Sequence, residues 1–193
     1  MAASSTDGLS IAFDTHERVR ELIDRLTFYM ESISLSFDAW DEDPRRYGPG
    51  LYLAVVVGPG YGSFADPMAK DAWPADPPPH PIEDEKPFFE QLTEVAYTCD
   101  GAVVLSVDGV VQPQLVRFRS LEEARDVEYA SWMGARHMSA QEISTHPAVV
   151  STLTVSQEDG RVTVFAHGKF STTSRDTFGD GFRNGASLAA GER

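Results

Sequence analysis

The chain has 193 residues, with 16 Lys and Arg against 30 Asp and Glu and a formal net charge of −14; its pI is near 4.6. Apolar residues make up 41% of it, enough for one sizeable core. The longest uninterrupted apolar run, Leu51 to Val57, is far too short to cross a bilayer, and the opening MAASSTDGLS lacks the basic start and apolar centre of a secretory signal. A lone cysteine, Cys99, cannot close an internal disulfide, which fits a reducing compartment. The acid excess argues against general binding to nucleic acid, whose affinity comes from neutralising phosphates. The expectation is a cytoplasmic protein with no nucleic-acid and no membrane partner.

In chain order, residues 1–11 are small and polar and read as a flexible N-terminus. Asp14-Thr15-His16-Glu17 has the spacing of a capping box, and Val19, Leu22, Ile23, Leu26, Met30 and Ile33 then form one apolar stripe. The spacing predicts a helix over about 15–35. Residues 38–50 are acidic and turn-like. Leu51–Val57 is continuous, apolar and β-branched, so it reads as a strand buried on both faces. Gly58-Pro59-Gly60-Tyr61-Gly62 follows it, where a phosphate-cradling loop can sit. No Gly-Lys-Ser/Thr comes next, and Pro59 removes a backbone donor, so a surface turn is the stronger reading. Seven prolines from Pro67 to Pro87 predict an exposed, extended connector without helix or strand interior.

Pro87 suits the first turn of a helix, which Phe88, Leu92, Val95 and Ala96 continue. Residues 100–107 read as a strand, and Asp108-Gly109 as a tight hairpin turn into Val110-Val111. Ser120-Leu121-Glu122-Glu123 has capping-box spacing and predicts a helix to about Ala130. Met138–Thr145 reads as a further helix, stopped before Pro147. Ala148–Val155 and Arg161–Ala166 are strands joined by Gln157-Glu158-Asp159-Gly160. Residues 171–193 are polar, glycine-rich and without periodicity, the pattern of a flexible tail. The fold class is therefore α/β, a mixed central sheet flanked by helices. Its divisions fall at 1–11, 12–84 (a helix and strand with the proline-rich connector), 85–170 (the core) and 171–193.

Two segments carry the chemistry. Asp100-Gly101-Ala102 stands at the mouth of a buried strand, where a carboxylate can hold a divalent cation. Gly134-Ala135-Arg136-His137-Met138-Ser139-Ala140 stands just ahead of a helix. Its small residues permit close backbone approach, and its Arg, His and free N–H groups favour an anion. Each has a bland alternative, a turn in the first case and a solvated helix cap in the second. Spacing alone does not bring Asp100 and Arg136 together.

Asp-Gly-Ala on a strand, followed about 35 residues later by Gly-x-Arg-His-x-Ser-Ala, resembles the diadenylate cyclase domain. That domain is the nucleotide-binding module of the bacterial DNA-integrity-scanning protein and also occurs in membrane-bound and archaeal stand-alone cyclases. Val155-Ser156-Gln157-Glu158-Asp159-Gly160-Arg161-Val162 is similar to the family's Val-Ser-Glu-Glu-x-Gly hairpin, and Asp108-Gly109 falls where the family has Asp-Gly. The likeness covers residues 85–170. Residues 1–84 do not resemble the bacterial forms, which favours the archaeal stand-alone type.

The resemblance implies condensation of two ATP into cyclic di-AMP and two pyrophosphates, with a divalent metal (Mn2+ or Mg2+), across a face-to-face homo-oligomer. By residue, it implies that Asp100 acts at the metal and helps polarise the attacking hydroxyl. Gly101, Ala102, Gly134 and Ala135 offer backbone near the nucleotide. Arg136, His137 and Ser139 hold phosphate, and Ser156 touches it. His137 and Glu158 join Asp100 as metal ligands. Arg117, Arg119 and Arg125 are further candidates for phosphate, or plain surface arginines.

The family usually has Arg-His-Arg, and here Met138 stands for the second arginine. A thioether cannot pair with phosphate. On that reading Met138→Arg holds or raises activity. Two alternatives follow: a nucleotide-binding sensor with little turnover, and an interaction protein that uses the proline-rich segment.

Only three lysines (Lys70, Lys86, Lys169) accompany 13 arginines. Such a surface suits concentrated intracellular salt, where repulsion is screened within a few ångströms, and equally a plain acidic protein. Unfolding midpoints across a salt series separate the two: a high-salt protein loses stability as salt is withdrawn, and full stability without added salt removes that idea.

Overall fold

The computed structural model describes residues 16–40, 47–58, 60–62, 64–121 and 127–178. Helix α1 spans Glu17–Leu35 and buries Val19, Leu22, Leu26, Met30 and Ile33, the stripe the sequence sets out. Tyr29 joins that face and donates its hydroxyl to Pro81 O at 2.8 Å. The helix is capped at His16, which makes no side-chain cap bond, rather than at Asp14. Asp14 and Thr15 lie outside the described residues.

Strand β1 (Leu51–Val56) is buried at every position because it lies inside a sheet covered on both faces. It pairs in parallel with β3 (Val103–Ser106), Leu53 opposite Val103, and antiparallel with β5 (Val149–Val155), Leu53 opposite Leu153. From β5 the chain turns into β6 (Val162–Ala166) and then β7 (Lys169–Thr173), giving the order β3-β1-β5-β6-β7. One face of this mixed sheet packs Leu51, Leu53, Val55, Leu153 and Val155 with α1 and with α2 (Glu85–Thr98). The other face places Tyr52, Ala54 and Val56 with α3 (Ala135–Ile143). Over that second face also lies a two-stranded sheet, β2 (Ala65–Ala72) with β4 (Gln114–Phe118).

Several expectations need correction. The proline-rich stretch is not strand-free, since Pro67 lies in β2. This is an edge strand with a register shift between Pro67 and Ala72, where a missing N–H is tolerated. The Gln114 side-chain amide donates to the carbonyls of Met68 and Asp71, holding the irregular part. Helix α2 begins at Glu85, two residues before Pro87. The Asp108-Gly109 reversal forms, with Gly109 at φ +81 and its N–H donating to Ser106 O at 2.9 Å. Its second arm adds only the Leu105–Val111 bridge before crossing to the other sheet.

Residues 127–130 are not helical, and 122–126, the heart of the helix expected after Ser120, lie outside the described residues. Helix α3 starts at Ala135 rather than Met138, so the Arg-His segment lies in its first turn. Residues 171–173 belong to β7 and Arg175–Thr177 forms a 3-10 turn, so this part of the expected tail is ordered; 179–193 lie outside the described residues. β7 was hidden because it is an exposed sheet edge and needs no apolar alternation. It is held by backbone pairing, a Thr163–Thr172 hydroxyl contact at 3.1 Å and Phe170 packed near Phe165. Among the described residues, no helix is long and apolar enough to cross a membrane.

Gly101 joins the two sheets. A Cβ there would sit 2.7 Å from Leu115 Cβ and 3.0 Å from Met68 Sδ, and Leu115 is fully buried. Gly101→Ala should lower stability by about 1–3 kcal/mol in chemical denaturation.

Candidate functional site

The pairing of β1 with parallel β3 and antiparallel β5 brings three chain ends to one edge of the sheet. These are the start of β1, the segment Asp100–Ala102 ahead of β3, and the β5–β6 turn that begins at Ser156. The first turn of α3 points at the same edge, with Gly134 as an N-cap that makes no side-chain cap bond. Between them lies a cavity of about 450 Å3, within the usual range for small-molecule sites. Asp100, Ala102, Gly134, Ala135, Arg136, His137, Ser139, Ser156 and Glu158 all line it.

Gly101 does not line the cavity. Its missing side chain makes room for Leu115 and Met68, so packing alone accounts for a glycine there. Gly134 is the opposite case. A Cβ on it would meet nothing within 4 Å, so its bareness serves the open side rather than the fold.

Arg136 Nη2 stands 3.9 Å from Asp100 Oδ1, with the arginine side chain 24% exposed and the carboxylate 89%. Burial pushes the Arg136 guanidinium below its ordinary value, and Asp100 opposes this. The guanidinium fits because residue 50 is glycine: a Cβ there would collide with Arg136 Nη1 and with the Gln157 side chain. A partly desolvated cation beside an open carboxylate is a strong anion partner, since fewer waters compete for it.

His137 is buried between aromatic rings, Trp132 edge-on at 5.1 Å and Phe165 at 6.5 Å. Burial lowers its pKa, Asp159 opposes, and Arg136 and Arg161 add to the lowering, so the ring is neutral at neutral pH. Its Nε2 is buried without a hydrogen-bond partner among the described residues. An unpaired buried polar atom costs about 1–3 kcal/mol, which a ligand group can recover.

Ser139 Oγ lies 3.4 Å from the Tyr52 hydroxyl, whose pKa burial raises. Ser156 Oγ accepts the N–H groups of Glu158 (3.3 Å) and Asp159 (3.4 Å), so it shapes the turn and keeps its own proton to donate.

The three residues expected to hold a metal (Asp100, His137, Glu158) share the cavity. Among the described residues, however, no group of three His, Cys, Asp or Glu comes close enough to enclose an ion. The physical reason is separation by environment: His137 is packed among rings, while the two carboxylates face water. Arg117 lines the cavity from β4. Arg119 instead pairs with Asp66, and Arg125 lies outside the described residues. His146 accepts the Ala148 N–H at 3.1 Å and packs on Phe64, a helix-end role. Cys99 packs on the core.

Sequence reading missed Tyr47, Tyr52, Met68, Phe118, Trp132 and Asp159 as lining residues. Scattered aromatics carry no spacing signal. Tyr52 alone had one, as the polar-tipped member of an otherwise aliphatic strand.

Residues 83–170 match the family model described as "DAC: DisA bacterial checkpoint controller nucleotide-binding". These residues are a diadenylate cyclase family domain. Among solved structures, the chain is similar to a double mutant of DacA from Staphylococcus aureus. That match has 18% identity, covers 88% of this chain and 97% of that one, and has a TM-score of 0.52. It is also similar to a hypothetical membrane spanning protein from Bacillus cereus, with 18% identity, 80% of this chain and a TM-score of 0.54. The chain spans 64% of the length of that protein's chain. At such identities the likeness is one of fold. No curated protein matches in sequence. Tyr47, Tyr52 and Met68 line the cavity from outside the stretch that the cyclase-family model covers.

Met138, at the position where the family usually has its second arginine, does not line the cavity. It is half-buried against the cluster that holds Phe165 and Ala140. Met138→Arg is therefore expected to lower stability by roughly 1–2 kcal/mol in thermal or denaturant unfolding, with no gain in nucleotide affinity.

Proposed function

We propose that this domain condenses two ATP molecules into cyclic di-AMP. The observation that carries the reading is the meeting of Asp100, Arg136 and His137 at one cavity, with carboxylate and guanidinium 3.9 Å apart, inside the stretch matched to the cyclase family. In the reaction, the 3′-hydroxyl of each ATP forms a bond to the α-phosphorus of the other. The bond from that phosphorus to the bridging oxygen breaks, pyrophosphate leaves, and the hydroxyl proton passes to base or solvent. Catalysis of this kind is positioning plus stabilisation of charge on the phosphoryl oxygens.

The chain's residues divide the work by environment. The half-buried Arg136 and the uncapped first turn of α3 bind phosphate oxygens. Ser139 and Ser156 donate hydroxyl hydrogen bonds. The unpaired Nε2 of neutral His137 offers a further contact. Asp100, almost fully exposed, is open to a hydroxyl arriving from outside the cavity, as from a nucleotide held by a facing second copy. A homo-oligomer is therefore part of the proposal.

The lining carries two guanidinium groups, Arg117 and Arg136, against three carboxylates, Asp100, Glu158 and Asp159. A triphosphate entering it needs added positive charge. The donor chemistry suits Mg2+ or Mn2+, since exposed carboxylate oxygens and substrate phosphates are how such ions are usually held. Asp100 would hold the ion, with Glu158 the second candidate. When bound, the cation offsets charge on the phosphates and favours the deprotonated nucleophile. Dependence on ATP and the single cysteine both support a cytoplasmic location as part of this proposal.

A second reading, a nucleotide sensor with little turnover, is favoured by one observation: Met138, half-buried against the apolar cluster, puts no cation at the position where the family usually has its second arginine.

Incubation of the purified chain with ATP and Mn2+ should yield cyclic di-AMP by mass spectrometry. Asp100→Asn should reduce product formation at least 100-fold while leaving the unfolding midpoint unchanged, because the side chain is exposed. Retained ATP without product supports the sensor, and wild-type turnover by the Asn variant removes Asp100 from the chemistry.

A further inference from the structure

Four aromatic side chains line the cavity: Tyr47, Tyr52, Phe118 and Trp132. Three have their rings engaged by the protein itself. Tyr52 and Phe118 pack at 5.0 Å, and Phe118 stacks on Phe64 at 6.1 Å. The Arg161 guanidinium lies 4.5 Å over the Trp132 ring, and His137 and Phe170 meet that ring edge-on at 5.1 and 5.7 Å.

Tyr47 differs. It is 70% exposed, more than any other large hydrophobic residue described, and it makes no ring contact among the described residues. Its exposure does not come from a loose backbone. The next residue, Gly48, donates its N–H to Gln157 O at 2.9 Å and lies against the Trp40 ring. Gly50 donates to Ala96 O at 3.0 Å and abuts Arg136. The segment that supports the Tyr47 ring is thus the one that makes room for the anion-binding guanidinium.

A planar apolar face in water, on an anchored backbone beside an anion site, matches a ligand with a flat ring joined to phosphates. We infer that Tyr47 is the stacking platform for the purine base of the bound nucleotide. It therefore contributes to selecting a nucleotide over a bare polyphosphate. This rests on reading the cavity as a nucleotide site. Stacking on tyrosine tolerates any base because every base has a π-face, and the rigid ring loses little freedom on binding. Position 47 precedes the family-matched stretch, so the platform belongs to the N-terminal portion of this chain.

The test compares affinities of the full chain for α,β-methylene-ATP and for inorganic tripolyphosphate, both with Mn2+, by calorimetry. Tyr47→Ala should weaken the analogue about 5- to 100-fold and leave tripolyphosphate within twofold. Tyr47→Phe should bind both as the wild type does. Wild-type affinity of the Ala variant for the analogue overturns the inference while the nucleotide reading stands. Equal losses for both ligands, or a change of oligomeric mass in the Ala variant alone, also overturn it, the latter assigning Tyr47 to contact with a second copy. If the wild type does not bind the analogue, the nucleotide reading falls and this inference with it.

Discussion

The structure depends on β1 being buried on both faces between a parallel and an antiparallel neighbour. Leu53 opposite Val103 on one side and opposite Leu153 on the other fixes both registers. Because β3 runs with β1 and β5 against it, the entry to β3 and the exit from β5 fall at the same edge of the sheet. A one-residue slip would turn each apolar side chain to the wrong face, so the core enforces the alignment. The catalytic candidates are carried to a common edge by that enforcement. Asp100 comes from the loop before β3, Ser156 and Glu158 from the turn after β5, and Arg136 and His137 from a helix packed on β5.

Electrostatics at that edge follows from unequal burial. Arg136 is drawn into the protein by the space at Gly50, while Asp100 and Glu158 remain in water. A half-buried cation with exposed anions around it keeps its charge available to a phosphate ligand. With a net charge of −14 on the whole chain, long-range attraction of an anionic ligand is absent, and binding one would depend on contacts made inside the cavity.

The parts of the fold legible in the sequence were those with strong periodicity. The stripe of α1, the two-sided run of β1, and the β5–β6 pair with its turn at Gly160 all stand where their patterns put them. Illegible parts had a physical excuse. Pro67 argued against a strand, yet β2 is an edge that does not need that N–H. β7 is solvent-facing, so no alternation of apolar residues marks it. The start of α3 was obscured because Gly134, Arg136 and His137 form no apolar stripe, and the turn is held by packing of His137 and Ala140. Likewise Met138 read as a lost phosphate contact, whereas its side chain packs on the apolar cluster beneath the helix.

The sequence by itself determined the class of the fold and the two chemical segments, because local pattern and short motifs are properties of neighbouring residues. It also fixed the family likeness through the order of Asp100-Gly101-Ala102, Arg136-His137 and the Ser156 hairpin. Only the tertiary structure decided that these segments share a cavity, that Gly101 serves packing while Gly134 faces the opening, and that Tyr47 and Tyr52 help to line it. Those facts depend on which strand ends meet across the sheet and which side chains lose their water there, and neither is encoded in spacing along the chain.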